Sequence, residues 1–418
     1  MGIKKEIKRP RGTRDFTPEE MERREHVENL IKSVIESYNY RRILTPTFEH
    51  SELFELKSGE EIREHMYVFE DKSGRKLCLR PEATASICRM FAQTLRKERL
   101  PLRLYYSYPM FRYERPQKGR YREFWQIGIE LIGSERPEAD AEVIDIAVNS
   151  LKRIDLNFIL EIGHMGILRE FMKELGIRDD IQPHLITLID KGDLDKVGRI
   201  VDNKKFLELI QLNGHMDVLD DAEALLDEYK RALESLENLR SILYWLKILD
   251  IDYRINLGIG RGIEYYTGMV FEIRIPELGA QSQVCGGGRY DNLIELFSGI
   301  RVPASGFAFG FDRIMDAVEL QGIDIPEKRV DVVIAPTNQN MREDALKIAS
   351  HLREYLSVDI DVMNRKLGKI LEYADEINAR FVIIVGPEDI REESVTIRNM
   401  DTGEQRRIEI KEIMNFIQ

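Results

Sequence analysis

Apolar residues recur at helical spacing in the first forty residues of the chain. These positions are Val27, Leu30, Ile31, Val34, Ile35 and Tyr38. Intervals of three or four residues place them on one face of a helix. Thr17, Pro18 and Glu20 stand where an N-cap, a first helical residue and a capping-box acid belong. The pattern predicts an amphipathic helix, followed by the β-favouring segment RRILTPTFEH, in which Pro46 indicates an edge or interface position.

An alternating pattern covers residues 104–133. The stretches YYSYPMF and EFWQIGIELI are rich in β-forming residues, and the turn-like RPQKGRY separates them, which predicts a β-hairpin with a long tip. The core-facing residues of the second strand are Trp125, Ile127, Ile129 and Leu131. The opposite face carries Gln126, Gly128 and Glu130. Because the glycine has no side chain, we expect a hollow there that suits a small ligand better than packing.

Helical and strand-like patterns occur in blocks along the chain. Residues 164–250 are helical in pattern, whereas strand patterns precede them and return as YRINLGI and TGMVFEIRI. This order predicts an antiparallel sheet interrupted by a helical insertion. After the linker QGIDIPEKR, a β-α-β-α-β pattern predicts a small, mostly parallel α/β domain. We therefore expect a core domain of residues 1–163 and 251–322, an insertion of 164–250 and a C-terminal domain of 330–418.

Composition limits the class of protein. A chain of 418 residues has room for two or three domains, and 43% hydrophobic residues are typical of a soluble globular protein. No apolar run approaches the ~20 residues that cross a bilayer, and the basic N-terminus lacks the apolar stretch of a secretory signal. We therefore expect a cytoplasmic protein without a membrane role.

Charge, cysteines and histidines exclude further classes. A net charge of −12 argues against a protein that coats nucleic acid through bulk positive potential, but it leaves local binding open. The three cysteines are too far apart for a CxxC pair, and their odd number does not fit a disulfide framework. The seven histidines are scattered and form no HExxH motif, so no protein-bound zinc is expected.

The glycine clusters do not match the common nucleotide-binding templates. GIGRG at 258–262 differs from GxGxxG and precedes strand-like sequence, and GxxxxGK[ST] occurs nowhere in the chain. HMGI at 164–167 resembles the HIGH signature of class I synthetases only faintly, because it lacks the second histidine and no KMSKS segment follows. A Rossmann fold, a P-loop and a class I site are therefore not expected.

Five segments place charged residues beside glycine or in apolar and aromatic surroundings. They are RPEAT at 80–84, FRYER at 111–115, RGIEYYTG at 261–268, GGGRYD at 286–291 and GFDR at 310–313. The guanidinium fork of arginine matches phosphate oxygens, and glycine lets the backbone approach a ligand closely. Glu82, Glu130 and Glu264 could hold an ammonium group. The combination indicates a substrate pair that is anionic at one end and cationic at the other, such as ATP and an amino acid.

These segments, together with RGTRDF and FRYERPQKGRYREFWQIGIE, resemble in order and wording the histidyl-tRNA synthetases, which are class II aminoacyl-tRNA synthetases. The likeness runs over nearly the whole chain. It implies an α+β catalytic core with helices flanking an antiparallel sheet, the helical insertion, and a C-terminal α/β domain that binds the anticodon. It also implies a homodimer formed through motif 1, the helix and strand of residues 17–50, and attachment of L-histidine to its tRNA through a histidyl-adenylate.

The resemblance implies a histidine-binding set. Its members are Glu82, Ala83, Thr84, Gln126, Glu130, Tyr265 and Tyr266. Glu82 and Thr84 correspond to residues that bind the amino end, and Glu130 and Tyr266 are the candidates for the ring nitrogens. Three positions depart from the family pattern: Ala83 replaces a common glycine, Trp125 a histidine frequent in bacterial members, and Glu264 the usual aspartate.

The resemblance also implies the groups that handle ATP and tRNA. Arg112 is similar to the motif 2 arginine that grips the α-phosphate, and Arg313 to its motif 3 counterpart. Arg261 resembles the catalytic arginine of the family. Glu114 and Arg120 would lie near ATP, and Gln117, from the same loop, near the acceptor end of tRNA(His). Mg²⁺ is expected as the ion that bridges the outer phosphates of ATP.

Two alternatives stay open. The first is the non-catalytic, synthetase-like regulatory subunit of ATP phosphoribosyltransferase, which normally lacks the anticodon-binding domain and has eroded motifs. Here the 330–418 domain and the arginines are both present. The second is a class II synthetase for another amino acid, such as threonine or proline, against which the segment RGIEYYTG argues.

Overall fold

The computed structural model of the chain describes residues 7–55, 63–115, 119–260 and 265–417. These residues form two compact units, one within Met1–Ile325 and one within Pro326–Gln418. No helix in the described ranges is both long and apolar enough to cross a membrane.

The first helix, α1 (Pro18–Ser37), begins at the capping box that the sequence predicts. The backbone nitrogen of Glu20 donates to the Thr17 hydroxyl at 3.3 Å, and the backbone nitrogen of Thr17 donates to the Glu20 carboxylate at 2.7 Å. These two bonds satisfy donors that a helix start leaves open. The buried face includes Val27 and Ile31, so the periodic apolar stripe does face the core.

Twelve strands of the described residues belong to the first unit. They are β1 (Arg41–Arg42), β2 (Phe48–His50), β3 (Val68–Glu70), β4 (Lys76–Leu79), β5 (Leu102–Phe111), β6 (Glu123–Ile132), β7 (Ile159–His164), β8 (Asn213–Gly214), β9 (Arg254–Asn256), β10 (Met269–Arg274), β11 (Gln283–Arg289) and β12 (Ala304–Gly310). Nine of them form one sheet in the order β1-β5-β6-β12-β11-β10-β7-β9-β8. All pairs from β5 to β7 are antiparallel, as predicted for this region. The other three form a small sheet in the order β2-β4-β3.

Helices pack on the large sheet, and several of them form the chain segment between β7 and β9. In the first unit they are α1, α2 (Glu52–Glu55), α3 (Thr84–Met90), α4 (Pro137–Lys152), α5 (Met165–Glu174), α6 (Gln182–Asp190), α7 (Leu194–Ile200), α8 (Lys204–Leu209), α9 (Val218–Leu226), α10 (Lys230–Ile248), α11 (Leu293–Ser298) and α12 (Phe311–Leu320). A π-helical stretch, Phe91–Leu95, extends α3, and a 3₁₀ turn, Pro276–Gln281, joins β10 to β11. Helices α5 to α10 lie between β7 and β9, and α10 packs on α4 and α5.

The second unit is an α/β sandwich around a five-stranded sheet. Its strands are β13 (Val332–Pro336), β14 (Val358–Ile360), β15 (Phe381–Val385), β16 (Ser394–Asn399) and β17 (Gln405–Glu409), and its helices are α13 (Arg342–Leu352), α14 (Leu367–Glu376), α15 (Pro387–Arg391) and α16 (Ile413–Ile417). The order is β14-β13-β15-β16-β17, with β13 parallel to both neighbours and the last two strands antiparallel. Val332 and Val333 belong to separate apolar clusters on opposite faces, as the twofold period of a strand requires.

Candidate active site

A cavity of about 440 Å³ opens on one face of the large sheet, over β6 and β10 to β12. It brings together all of the predicted site residues that the structure describes: Glu82, Ala83, Thr84, Arg112, Glu114, Arg120, Gln126, Glu130, Tyr265, Tyr266 and Arg313. Arg261 and Gln117 lie outside the described residues. What we call the floor consists of Glu82, Glu130, Gln126 and the tyrosines, and what we call the rim consists of Arg112, Arg120, Arg313 and Glu114.

Glu130 is the most buried acid of the floor. The Thr84 hydroxyl donates to its Oε1 at 2.8 Å, and the Tyr290 hydroxyl donates to its Oε2. Gly306 makes room for it, because a Cβ at that position would lie 2.0 Å from Oε2. Burial raises the pKa of Glu130 from its ordinary value of 4.5 to about 8, since the two donors offset only part of the lost hydration.

Glu82 lies beside the first turn of α3. Its carboxylate accepts hydrogen bonds from the backbone nitrogens of Thr84 at 2.6 Å and Ala85 at 3.1 Å. Burial raises the pKa of this carboxyl group as well, although both backbone bonds act in the opposite direction. The two floor acids are thus held by neutral donors, so a cationic ligand would favour their ionised forms by supplying the opposite charge.

The prediction of a ligand-sized hollow at Gly128 is wrong. Tyr106 stands directly opposite Gly128 in the pairing of β5 with β6. A Cβ on Gly128 would lie 2.4 Å from the Tyr106 hydroxyl oxygen and 2.5 Å from the Phe307 carbonyl oxygen. The glycine therefore accommodates a cross-strand phenol, and the space for a ligand lies elsewhere on the same face.

Gln126, next to this phenol, carries an unsatisfied acceptor. Its Oε1 is buried and accepts no hydrogen bond from the described residues. Such an oxygen loses the free energy of hydration without replacement, about 1 to 3 kcal/mol. The cavity therefore offers one amide oxygen that a ligand donor could satisfy.

Three tyrosine rings close one side of the floor. The centroid of the Tyr265 ring lies 5.0 Å from that of Tyr266 and 5.7 Å from that of Tyr290, in edge-to-face orientation. Burial raises the pKa of Tyr265 and Tyr290 well above the usual tyrosine range, so both hydroxyl groups stay protonated. The floor therefore offers neutral hydroxyl donors beside carboxylates.

The rim arginines are held by uncharged oxygens. Arg112 Nε donates to the Pro81 carbonyl at 2.9 Å. Arg313 donates to the carbonyls of Gly119 at 3.1 Å and Gln283 at 2.7 Å. No carboxylate among the described residues forms an ion pair with Arg112 or Arg313, whereas Arg120 lies 3.5 Å from Glu114. Burial and the nearby Arg120 lower the pKa of Arg313, although an arginine remains charged at neutral pH.

The N-terminal RGTRDF segment also reaches this side of the cavity. Asp312, the residue before Arg313, is buried and pairs with Arg14 and with Arg24, the latter at 2.8 Å. Its other oxygen accepts the backbone nitrogen of Trp125 at 2.8 Å. The pairs tie the start of the chain to β6 and to the first turn of α12, which carries Arg313.

In two of the five segments the arginine itself serves the interior instead of the cavity. Arg289 makes two bonds to Asp140, at 2.8 and 3.0 Å, and a third to Asp291 at 2.9 Å. Arg80 donates to the carbonyl of Thr45 at 2.8 Å and is likewise buried. Neither side chain lines the cavity. The sequence pattern alone did not separate these structural arginines from those of the rim.

Several cavity residues were not assigned from the sequence, and two of them form hydrogen bonds to assigned residues. Tyr290 belongs to the GGGRYD segment, which is the signal in the sequence that points to it. Its hydroxyl donates a hydrogen bond to Glu130. Gln281, at the end of the 3₁₀ turn, lines the cavity but lies in none of the five segments. Only the fold brings this glutamine to the rim.

Comparison with known proteins agrees with this architecture. A family model described as histidyl-tRNA synthetase matches residues 12–314, and one described as anticodon binding domain matches residues 331–418. A histidine–tRNA ligase of Methanococcus maripaludis is 44% identical over 421 residues, covering 98% of this chain and 100% of the relative. The ligase of the same name from Archaeoglobus fulgidus is 45% identical over 422 residues, covering 99% and 100%.

A solved structure extends the agreement to the fold. The crystal structure of apo histidyl-tRNA synthetase from S. aureus matches with a TM-score of 0.79 and 29% identity, covering 99% of this chain and 100% of that one. Both the family model and the full-length relatives therefore lead to one assignment. The chain belongs to the histidyl-tRNA synthetase family.

Proposed function

We propose that this chain activates histidine with ATP in the cavity and then transfers the histidyl group to tRNA(His). The observation that carries the proposal is the separation of charge inside one cavity, with buried acids on the floor and arginines held by neutral oxygens at the rim. An amino acid and a nucleoside triphosphate need opposite surroundings, and this arrangement supplies both.

The floor would bind histidine. Glu82, Thr84 and Gln126 offer acceptors for the ammonium group, and the unsatisfied oxygen of Gln126 gains a donor when that group arrives. Glu130 and Tyr266 remain the proposed partners of the imidazole nitrogens. A competitor without ring N–H groups would leave buried polar atoms unpaired, which costs about 1 to 3 kcal/mol for each atom.

The rim would bind ATP and stabilise the reacting phosphate. A carboxylate oxygen of histidine forms a bond to the α-phosphorus while the bond from that phosphorus to the leaving pyrophosphate breaks, which gives histidyl-adenylate. Arg112 would offset the repulsion between the two anions, and Arg261, which lies outside the described residues, is the proposed second donor. A ribose hydroxyl of tRNA then attacks the histidyl carbonyl, and AMP leaves.

Mg²⁺ is proposed to enter with ATP. When bound, it would neutralise charge on the outer phosphates, and an ion of this kind is commonly held by one or two carboxylates plus phosphates. Glu114 is the candidate protein ligand at the rim, because its buried Oε2 accepts no hydrogen bond from the described residues and has only the 3.5 Å ion pair with Arg120.

The second unit is proposed to bind the anticodon. The connection after β13 leads to β14 on one side of the sheet, and the connection after its other neighbour, β15, leads to β16 on the opposite side. The carboxyl ends of β13 and β15 therefore mark the place where open α/β sheets bind ligands. The exposed loop of residues 337–340, TNQN, offers amide donors and acceptors there. In the loop after β14, Val362 is 81% and Met363 68% exposed. Asp361 fixes that loop by accepting the backbone nitrogen of Arg365 at 2.8 Å.

The loop assignment has a direct test. Changing Val362 and Met363 to serine together should leave ATP–pyrophosphate exchange unaltered and lower kcat/KM for tRNA about tenfold, because apolar contacts to unpaired bases are lost. Equal charging by the variant and the parent would refute it.

We further propose a homodimer formed through the small sheet. Leu44, Phe48, Val68 and Phe69 expose apolar side chains on or beside β2 and β3, and Leu44 is 73% exposed. Such a patch is typical of an interface. Light scattering should give the mass of two chains, and Phe48→Glu should give one; a monomeric parent would contradict the dimer. The cytoplasm stays the predicted compartment.

Charging of tRNA tests the overall function. Purified protein with ATP, Mg²⁺, labelled histidine and tRNA(His) should yield histidyl-tRNA, whereas a regulatory subunit of ATP phosphoribosyltransferase would yield none. A threonyl or prolyl enzyme would charge its own tRNA instead. Absence of any charged tRNA would overturn the proposal.

A further inference from the structure

A short turn between two strands of the large sheet reaches the rim of the cavity. It is the 3₁₀ turn Pro276–Gln281, and its last residue, Gln281, is partly buried against the cavity. Gln281 is an uncharged amide that lies among guanidinium groups.

One oxygen of Gln281 accepts hydrogen bonds from two arginines. Arg120 Nε donates to it at 3.2 Å, and a terminal nitrogen of Arg313 donates at 3.0 Å. Arg120 belongs to the return arm of the β5–β6 hairpin, whereas Arg313 belongs to the first turn of α12. Gln281 also packs on the hairpin, since a Cβ on Gly119 would lie 3.5 Å from its own Cβ. The glutamine thus connects two segments that meet only in the folded chain.

The neutrality of this bridge matters for an anionic ligand. Two guanidinium groups repel each other, and Arg120 lowers the pKa of Arg313. An amide oxygen draws both cations to one point through its dipole and itself neutralises neither of them, although Arg120 also lies 3.5 Å from Glu114. A carboxylate in the same place would neutralise one of the two charges and compete with phosphate.

We propose that Gln281 is a positioning residue that holds Arg120 and Arg313 in the arrangement that receives the phosphates of ATP, and that the site requires a neutral acceptor. The inference rests on the proposed function, since it assigns these two arginines to ATP. The inference predicts that substitution of Gln281 weakens the binding of ATP and leaves the binding of histidine unchanged.

Two substitutions test this role in histidine-dependent ATP–pyrophosphate exchange by the full chain. Gln281→Met keeps the length of the side chain and removes the oxygen, and Gln281→Glu keeps the oxygen and adds a charge. Each should raise KM for ATP about tenfold or more, because hydrogen bonds to charged groups are lost or the phosphate gains a competitor. KM for histidine should change less than about twofold, as uncoupled sites predict. Glu277→Gln, on the exposed start of the same turn, is the matched control and should behave as the parent.

The outcomes separate the possibilities. A KM for ATP within about twofold of the parent in either variant would overturn the inference, as would equal increases of both KM values together with a lower unfolding temperature. Gln281→Glu keeps both hydrogen bonds, so it remains informative if the methionine variant does not fold. A parent protein without exchange would instead contradict the proposed function.

Discussion

The arginines of the rim and the interior Arg289 differ in what holds them. Arg289 is 6% exposed and forms charged pairs with Asp140 and Asp291, so its charge is compensated inside the protein. Arg112 and Arg313 are anchored by carbonyl and amide oxygens, and their charge is not compensated by the described residues. The same side chain is therefore structural where its partners are carboxylates and available to a ligand where its partners are dipoles.

The acids of the floor are likewise held by neutral hydrogen-bonding groups and not by ions of opposite charge. Glu82 and Glu130 are held by backbone N–H and hydroxyl donors, and no arginine or lysine of the described residues forms an ion pair with either. The floor differs from the rim in burial, because both acids are almost inaccessible while the rim arginines are half-buried. Their pKa values are accordingly raised, whereas the rim arginines stay charged.

The largest loss of stability is expected when the interior arginine is removed. Arg289→Ala leaves Asp140 buried without its partner, so the free energy of unfolding should fall by about 3 to 5 kcal/mol. Denaturant unfolding measures this change. Arg136→Ala removes an exposed pair with Glu138 and should leave stability close to that of the parent. Equal stability of the two variants would mean that Arg289 is not structural.

Removing a rim arginine should lower catalytic activity and leave stability almost unchanged. Arg112→Ala is expected to lower the turnover of ATP–pyrophosphate exchange about 10² to 10³-fold, because a donor to the developing charge is lost. Stability and histidine binding should change little, as unfolding and calorimetry would report. Arg115→Ala, on the exposed side of the same arm, is the control. Retained exchange in Arg112→Ala would remove this arginine from the mechanism.

A change at the floor should affect the other substrate. Glu130→Gln keeps the shape of the side chain and removes a carboxyl group that can release its proton when a cationic ligand binds, so KM for histidine should rise about 10- to 100-fold. KM for ATP should stay within about threefold, because the rim is untouched. An increase in KM for ATP alone would show that floor and rim are not separate.

A further effect is expected on the pH dependence of stability. The pKa of Glu130 is raised to about 8 in the folded protein, so this acid retains a proton that the unfolded chain releases near 4.5. The contribution of Glu130 to stability without ligands should therefore fall as pH rises from about 4.5 to about 8. The slope should be shallower in Glu130→Gln, measured by thermal unfolding across this range. Identical slopes would indicate that Glu130 is ionised throughout.

Much of the fold followed from the sequence. The predicted fold class, family and histidine–tRNA ligase activity are confirmed by the family models and the full-length relatives. The helix from Pro18 and the hairpin strands were predictable because periodicity and capping act locally. The domain boundaries and the roles of individual site residues stay predictions.

What failed depends on contacts between distant segments. Alternation placed Gly128 on the ligand face, but the long hairpin tip left the register undetermined, so Tyr106 could not be matched to it. The arginine segments could not be told apart because Asp140, which forms two hydrogen bonds with Arg289, comes from the distant helix α4. Gln281 gave no local signal, since its role arises from two arginines brought together by folding.

ATP–pyrophosphate exchange without tRNA tests the central claim most directly, namely that one cavity binds a cationic amino acid at the floor and a polyphosphate at the rim. With each of the twenty amino acids in turn, the account predicts exchange with histidine and background rates with the others. Exchange that is equal for several amino acids, or none with histidine while the protein is folded, would contradict it.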